Sequence, residues 1–244
     1  MAKRPVHSPS DPSPPCLTLI ERAYTQLRDD IISGQLAPGE KLRVEHLKTR
    51  YGVSAGTLRE ALTRLVSDAL VDVQGQRGFS VAPIAAADLA DLTRLRIHIE
   101  IDALRLSIRA GGSGWREQLQ QAWHELSLLE QPLQPAQAAA WERQNTRFHV
   151  ALLAGHASPW TVRLLSTLAR QGERYRRYAI NLPGTQRDVH AEHREIYDGA
   201  MTGNELRAAL ALEWHIRATA DLVLQALRSK DAPTPSPARS RPGS

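Results

Sequence analysis

The sequence predicts a mainly α chain in two parts: a helix-turn-helix closed by a β-ribbon, then an antiparallel helical bundle. Three observations predict it. Residues 41–83 carry two short helical patterns, then alternating ones. Strand signals stop at Pro83. From Ala86 onward apolar residues recur at helical spacing between Gly- and Pro-rich breaks.

The helix over 44–51 sets Val44, Leu47 and Tyr51 on one face. Gly52 permits a sharp exit, Val53 fills the corner, and Ser54 stands where a helix N-cap belongs. The next helix, 55–67, buries Leu58, Ala61, Leu62 and Leu65 and turns Thr57, Arg59, Thr63 and Arg64 outward. Strands over 71–74 and 78–82 flank Gly75-Gln76-Arg77-Gly78, which suits a hairpin. This order is that of a winged helix-turn-helix, whose second helix fits the DNA major groove. Six basic residues from Lys41 to Arg64 (Lys41, Arg43, Lys48, Arg50, Arg59, Arg64) stand against Glu45 and Glu60, which favours duplex DNA over a bare packing module.

Arg59 is the expected reader of a base edge, since a bidentate arginine–guanine pair discriminates by about 1–3 kcal/mol. Thr57 suits a phosphate or a thymine methyl group, and Arg43, Lys48 and Arg50 suit phosphates. Ser54 and Arg64 complete the DNA-facing set, with Arg77 at the wing tip over the minor groove. Glu60 faces a negatively charged partner, so a pair with Arg64 is its expected role.

Six helices follow, near 86–110, 115–130, 136–155, 159–180, 185–202 and 204–229. The expected organisation is a tail over 1–16, a DNA-binding domain over 17–83, an all-α effector, metal and dimerisation domain over 84–230, and a second tail over 231–244. Both tails are rich in Pro, Ser and Arg and are expected to be disordered. The 244 residues carry a net charge of +5, spread evenly, so DNA contacts should be local rather than a general attraction to polyanions. Cys16 is alone, which excludes an internal disulfide and fits a reducing cytoplasm. No apolar run reaches the length of a membrane span. No Gly-rich phosphate loop, nucleophile elbow or paired-carboxylate site is present.

The chemistry lies in three histidines. Asn145 and His149 are four apart and share a helix face. His193 stands ten residues before Gly203 and His215 twelve after it, so both lie roughly 15–18 Å from the turn of a helical hairpin. Spacing leaves two readings open: ligands converging on a metal inside the bundle, or three separately packed histidines. Arg96 interrupts an apolar stripe of Leu89, Leu92, Ile99, Ala103 and Leu106; it needs a partner, Glu100, or a ligand. Arg174 and Tyr178 share a face and are further candidates for a ligand pocket, against a plain wet surface. Trp141 and Trp214 are expected near the bundle core.

Pro38–Leu42 (PGEKL), Tyr51–Ser54 (YGVS), Thr57–Leu62 (TLREAL) and Arg77–Pro83 (RGFSVAP) together resemble the head of the GntR superfamily of bacterial transcription regulators. Leu92–Glu100, Asn145–His149, Glu192–Ile196 and the run from Glu205 to His215 resemble the FCD-type C-terminal domain of its FadR subfamily. The resemblance implies a divalent metal, such as zinc, nickel or manganese, on positions corresponding to Asn145, His149, His193 and His215. Asn145 departs from the pattern, since many relatives carry aspartate there; an amide oxygen ligates without adding charge. Ala55 departs too, standing where relatives carry a base-reading arginine.

The expected function is a cytoplasmic homodimeric regulator, a repressor, reading a near-palindromic operator because a twofold dimer reads twofold DNA. A small organic acid bound at the metal would release it. Two rivals are a metal-dependent hydrolase, with Glu192 as candidate base, fused to a DNA-binding head, and an architectural DNA binder with a purely structural bundle.

Overall fold

The computed structural model describes residues 17–75, 78–131, 135–156, 158–180 and 187–231; the expected first tail with Cys16, residues 232–244 of the expected second tail, and Arg77 lie outside the described residues. The chain opens with a helix absent from the sequence expectation, α1 (Leu19–Ile32). Its signal is a capping box: the Thr18 side chain accepts from the Glu21 backbone while the Glu21 carboxylate takes the Thr18 N–H. Ala23, Leu27 and Ile31, four apart, form its buried stripe. After β1 (Lys41–Leu42) come α2 (Val44–Tyr51) and α3 (Ala55–Ser67).

Gly52 takes a left-handed φ of 64°, a conformation that costs most residues energy, and its N–H closes α2 on Lys48. Ser54 caps α3 by accepting the Thr57 N–H at 3.1 Å. Leu58, Ala61, Leu62 and Leu65 are all buried, against α1 and the ribbon. The ribbon, β2 (Val71–Val73) and β3 (Phe79–Val81), was expected to have two strands; β1 joins it as a third, in the antiparallel order β1-β3-β2 with Leu42 opposite Phe79. A two-residue strand is too short to carry an alternation signal.

The bundle comprises α4 (Ala86–Ala110), α5 (Ser113–Glu130), a 3-10 turn (Pro135–Gln137), α6 (Ala138–Leu153), α7 (Pro159–Ile180), α8 (Val189–Met201) and α9 (Glu205–Asp231). The fifth bundle helix, α8, starts later than expected, capped by Asp188. Its core includes Leu104, Leu119, Leu126, Phe148, Leu152, Ile196 and Leu212. Two sequence expectations need correction. The buried face of α4 runs through Leu89, Arg96, Ile97, Glu100, Ala103, Leu104 and Ile108; Ile99 and Leu106 sit at its margin, because α4 packs on α6, α7 and α9 together and buries a wider arc. Trp214 is 58% exposed, since His215 beside it claims the inward direction, whereas Trp141 is buried.

The hairpin of α8 and α9 turns at Gly203 (φ 73°). A side chain on Gly199 would place its Cβ 2.7 Å from the backbone nitrogen of Ala208, so the two helices meet closely only because this residue has none. Gly199→Val is expected to lower stability in urea by about 2–3 kcal/mol through overpacking. An unchanged unfolding midpoint would contradict that packing.

Helix α7 also touches the N-terminal part. Arg170 pairs with Asp68 at 2.6 Å, Gln171 Nε2 donates to the Asp68 and Ala69 carbonyls at 2.7 and 3.1 Å, and Arg28 pairs with Glu173 at 3.0 Å. Arg174, sought in a ligand pocket, is buried and donates instead to the carbonyls of Ala82 and Pro83 at the end of the ribbon.

Candidate metal and effector site

Three helices deliver the histidines to one point. His149 comes from α6, His193 from α8 and His215 from α9, and one nitrogen or more of each lies within 4.8 Å of the others. Ring centroids of His193 and His215 are 4.6 Å apart, as their matched heights above Gly203 require. His149 stands 5.5 Å from His193 and 5.2 Å from His215. Asn145, one turn before His149, is buried beside them.

The outer contacts fix which nitrogens face inward. His193 Nδ1 lies 2.8 Å from Glu130, and His215 Nδ1 lies 2.8 Å from Glu192. An ionised carboxylate only accepts, so each Nδ1 donates outward and each Nε2 is the nitrogen left to face the site. Glu130 also accepts from Trp141 Nε1 at 2.9 Å and faces His190 Nδ1 at 3.3 Å. Glu192 is gripped by Arg187, which donates further to Thr219 and to the His215 carbonyl.

Three buried polar atoms here have no hydrogen-bond partner: Asn145 Oδ1, His149 Nδ1 and His193 Nε2. Desolvation, followed by the neighbouring His193, holds the His149 pKa well below the ordinary imidazole value. His215 is lowered likewise, by burial first and then by His193 and His149. Neutral imidazoles and an amide oxygen, left without donors at one spot, fit a divalent cation that accepts nitrogen and oxygen ligands, such as zinc, nickel or manganese.

A cavity of about 230 Å³ opens beside them. Asn145 and His149 form its polar end, and Val150, Leu153, Val162, Leu165 and Ala169 supply apolar wall. Arg96 borders the cavity but its Nε is already 2.6 Å from Glu100, a pairing the sequence left open. Arg176, rather than Arg174, reaches the cavity, because positions two apart on α7 point to nearly opposite sides. It is paired with the buried Glu142. The side chain of Tyr178 lies outside the described residues. Glu130, Glu142, Arg176, Arg187 and His190 were not anticipated. Only Glu142 left a trace, three residues before Asn145 and seven before His149, on their face.

In the N-terminal part, Arg43 and Arg59 are exposed. Lys48 pairs with Glu45, Arg50 with Asp30 at 2.7 Å, and Arg64 with Glu60 at 3.1 Å, the last as anticipated. These are surface pairs worth about 0–1 kcal/mol each, weak enough to exchange for phosphates. Thr57 shares a hydrogen bond with Ser54 at 2.9 Å.

Residues 19–81 match the family described as bacterial regulatory proteins, gntR family, and residues 91–218 match the FCD domain. The chain is 41% identical over 211 residues to the HTH-type transcriptional regulator BphR of Paraburkholderia xenovorans (strain LB400), covering 85% of this chain and 86% of that protein. It is 30% identical over 209 residues to the HTH-type transcriptional repressor GlaR of Escherichia coli (strain K12), covering 84% and 95%. Among solved structures, McbR/YncC of E. coli superposes with a TM-score of 0.70 at 18% identity, covering 87% of this chain and 100% of that one. A GntR regulator from Rhodococcus sp. RHA1 superposes at 0.69 with 22% identity, covering 85% and 98%. Both show the same fold.

Proposed function

We propose, from the premise that the chain belongs to the GntR family of bacterial regulatory proteins with an FCD domain and is a DNA-binding transcriptional regulator, that it is a metal-containing repressor released by a small carboxylate. The observation that carries this reading is the convergence of His149, His193 and His215 with three buried polar atoms left without partners (Asn145 Oδ1, His149 Nδ1 and His193 Nε2), where Glu130 orients His193, Glu192 orients His215, and Asn145 and His149 line a cavity. Residues 17–83 would form the DNA-binding head, and 84–230 the effector, metal and dimerisation domain. The name of GlaR supports repression. The proposed setting is the cytoplasm; no described helix is long and apolar enough to cross a membrane.

In this reading Asn145, His149, His193 and His215 hold the ion. Bound there, it supplies the positive charge on which the carboxylate of an effector would sit. Glu130 and Glu192 keep the His193 and His215 imidazoles in the ligating tautomer, Trp141 and Arg187 hold those carboxylates in place, and Leu153 and Leu165 supply apolar wall. Families and relatives are transcriptional regulators, not enzymes, and Glu192, the only candidate base named for hydrolysis, is committed to His215 and Arg187.

As a twofold dimer, the protein would set two heads on half-sites of a near-palindrome. Thr57 and Arg59 would address base edges from the start of α3, with Ser54, Arg43, Lys48, Arg50, Arg64 and Arg77 on the backbone or minor groove. Arg59→Ala is expected to weaken operator binding about 5- to 150-fold, the equivalent of one bidentate base contact, and to leave binding to random duplex nearly unchanged. Gel-shift titration reads both; unaltered operator affinity would remove Arg59 from this role. The wider reading is tested by metal analysis of the purified protein, thermal shifts with carboxylates, and release of operator DNA by those that bind.

A further inference from the structure

The cavity beside the histidines also limits what can occupy it, on the reading that its polar end anchors a carboxylate. Its walls are apolar: Leu153, Leu165 and Ala169 line the interior, and Val150 and Val162 stand at the mouth. The two valines are 58% and 54% exposed, so apolar surface remains in water where a ligand would cover it. Charge is balanced before any ligand arrives. Arg96 is held by Glu100 at 2.6 Å and Arg176 by Glu142, and both glutamates are buried. Among the described lining residues these are the only two arginines, and neither offers a guanidinium without a carboxylate.

A second carboxylate on a ligand would therefore meet alkyl side chains, or Glu100, and lose its hydration without gaining a cation. Hydroxyls fare little better: Ser166 already donates to the Arg163 carbonyl at 2.7 Å, which leaves Thr146 as the other hydroxyl in the described lining. The volume of about 230 Å³ is roughly that of eight waters, room within the walls for one ring or a chain of a few methylenes.

We infer that the effector is a monocarboxylate with a compact apolar body, about the size of one ring, and that the pocket rejects dicarboxylates and polyhydroxy acids. Discrimination follows from unpaired burial: a polar group moved into an apolar wall without a partner is rejected far more strongly than a methylene is missed.

The test uses the full-length, zinc-loaded protein and matched six-carbon acids in calorimetric titration. Hexanoate carries one carboxylate, adipate the same chain with a second, and gluconate the same length with hydroxyls; benzoate supplies a ring. Hexanoate and benzoate are expected to bind at least tenfold more tightly than adipate or gluconate. Val162→Arg, at the half-exposed mouth, introduces a cation with no carboxylate assigned to it and is expected to narrow the hexanoate–adipate gap. Adipate or gluconate binding as tightly as hexanoate in the unaltered protein would overturn the inference while leaving a carboxylate-anchoring site intact. Failure of all four acids to bind would overturn both.

Discussion

His193→Ala is expected to strip the bundle of its metal, weakening affinity by more than the 10- to 100-fold typical of losing an outer-shell partner. His193 is wholly buried, and its Nε2 is one of the three buried polar atoms at the site without a protein partner. Glu130 keeps the Trp141 N–H and His190 after the change, so its carboxylate is not stranded and the bundle should still fold. Metal analysis after dialysis against a weak chelator reads the loss directly. In parallel, chelation should lower the melting temperature of the unaltered protein and leave that of the variant unmoved, because only a ligand of the folded state shifts stability. Glu130→Gln refines the argument. Trp141 Nε1, which can only donate, and His193 Nδ1 share one Glu130 oxygen, so a glutamine keeps its carbonyl oxygen there and the tautomer with it; the lost outer charge alone is expected to weaken metal binding, by about 10-fold, without loss of any ligand. Retention of a full metal complement by His193→Ala would place the ion elsewhere.

The parts of this architecture that were legible in the sequence are those set by local chemistry. Gly52 and Ser54 define the corner between α2 and α3, and the period of Leu58, Ala61, Leu62 and Leu65 defines the buried face, each within one turn of its neighbour. The meeting of His193 and His215 was legible because helical rise is constant and Gly203 marks where counting starts. Buried carboxylates were not. A glutamate reads as surface until its partner is known, and the partner of Glu130, His193, is 63 residues away. Arg174 and Arg176 show the same limit. Both lie on α7 in the polar run Glu173–Tyr178, and only the packing of α7 between head and bundle decides which one sees the cavity. α1 was readable from its capping box and four-residue stripe, though a Pro- and Ser-rich stretch immediately before it masks the signal.

That position of α7 carries the second large expected effect. One side of the helix, through Val162, Leu165, Ala169 and Arg176, lines the cavity. The other side, through Arg170, Gln171 and Arg174, holds the turn after α3 and the end of the ribbon. The turn is itself strained: Ala69 takes a left-handed φ of 55°, uncommon for a residue with a side chain, and its carbonyl is held by Gln171. An occupant that shifts α7 thus acts on the C-terminal end of the groove-reading helix through hydrogen bonds rather than through flexible chain. Gln171→Ala combined with Arg174→Ala is expected to leave metal and carboxylate binding near their original affinities while the effector's influence on operator affinity, typically 5- to 150-fold in coupled systems, falls close to none. The measurement is operator binding by fluorescence anisotropy with and without hexanoate, in both proteins. Linkage supplies an internal check, because operator DNA must weaken hexanoate binding by the same factor as hexanoate weakens operator binding. If the double variant keeps the full factor in both directions, the hydrogen bonds of Gln171 and Arg174 do not carry the coupling. The coupling would then run through the other α7 pairs, Arg170–Asp68 and Arg28–Glu173, or through Pro83 into α4, the covalent route from the ribbon to the cavity.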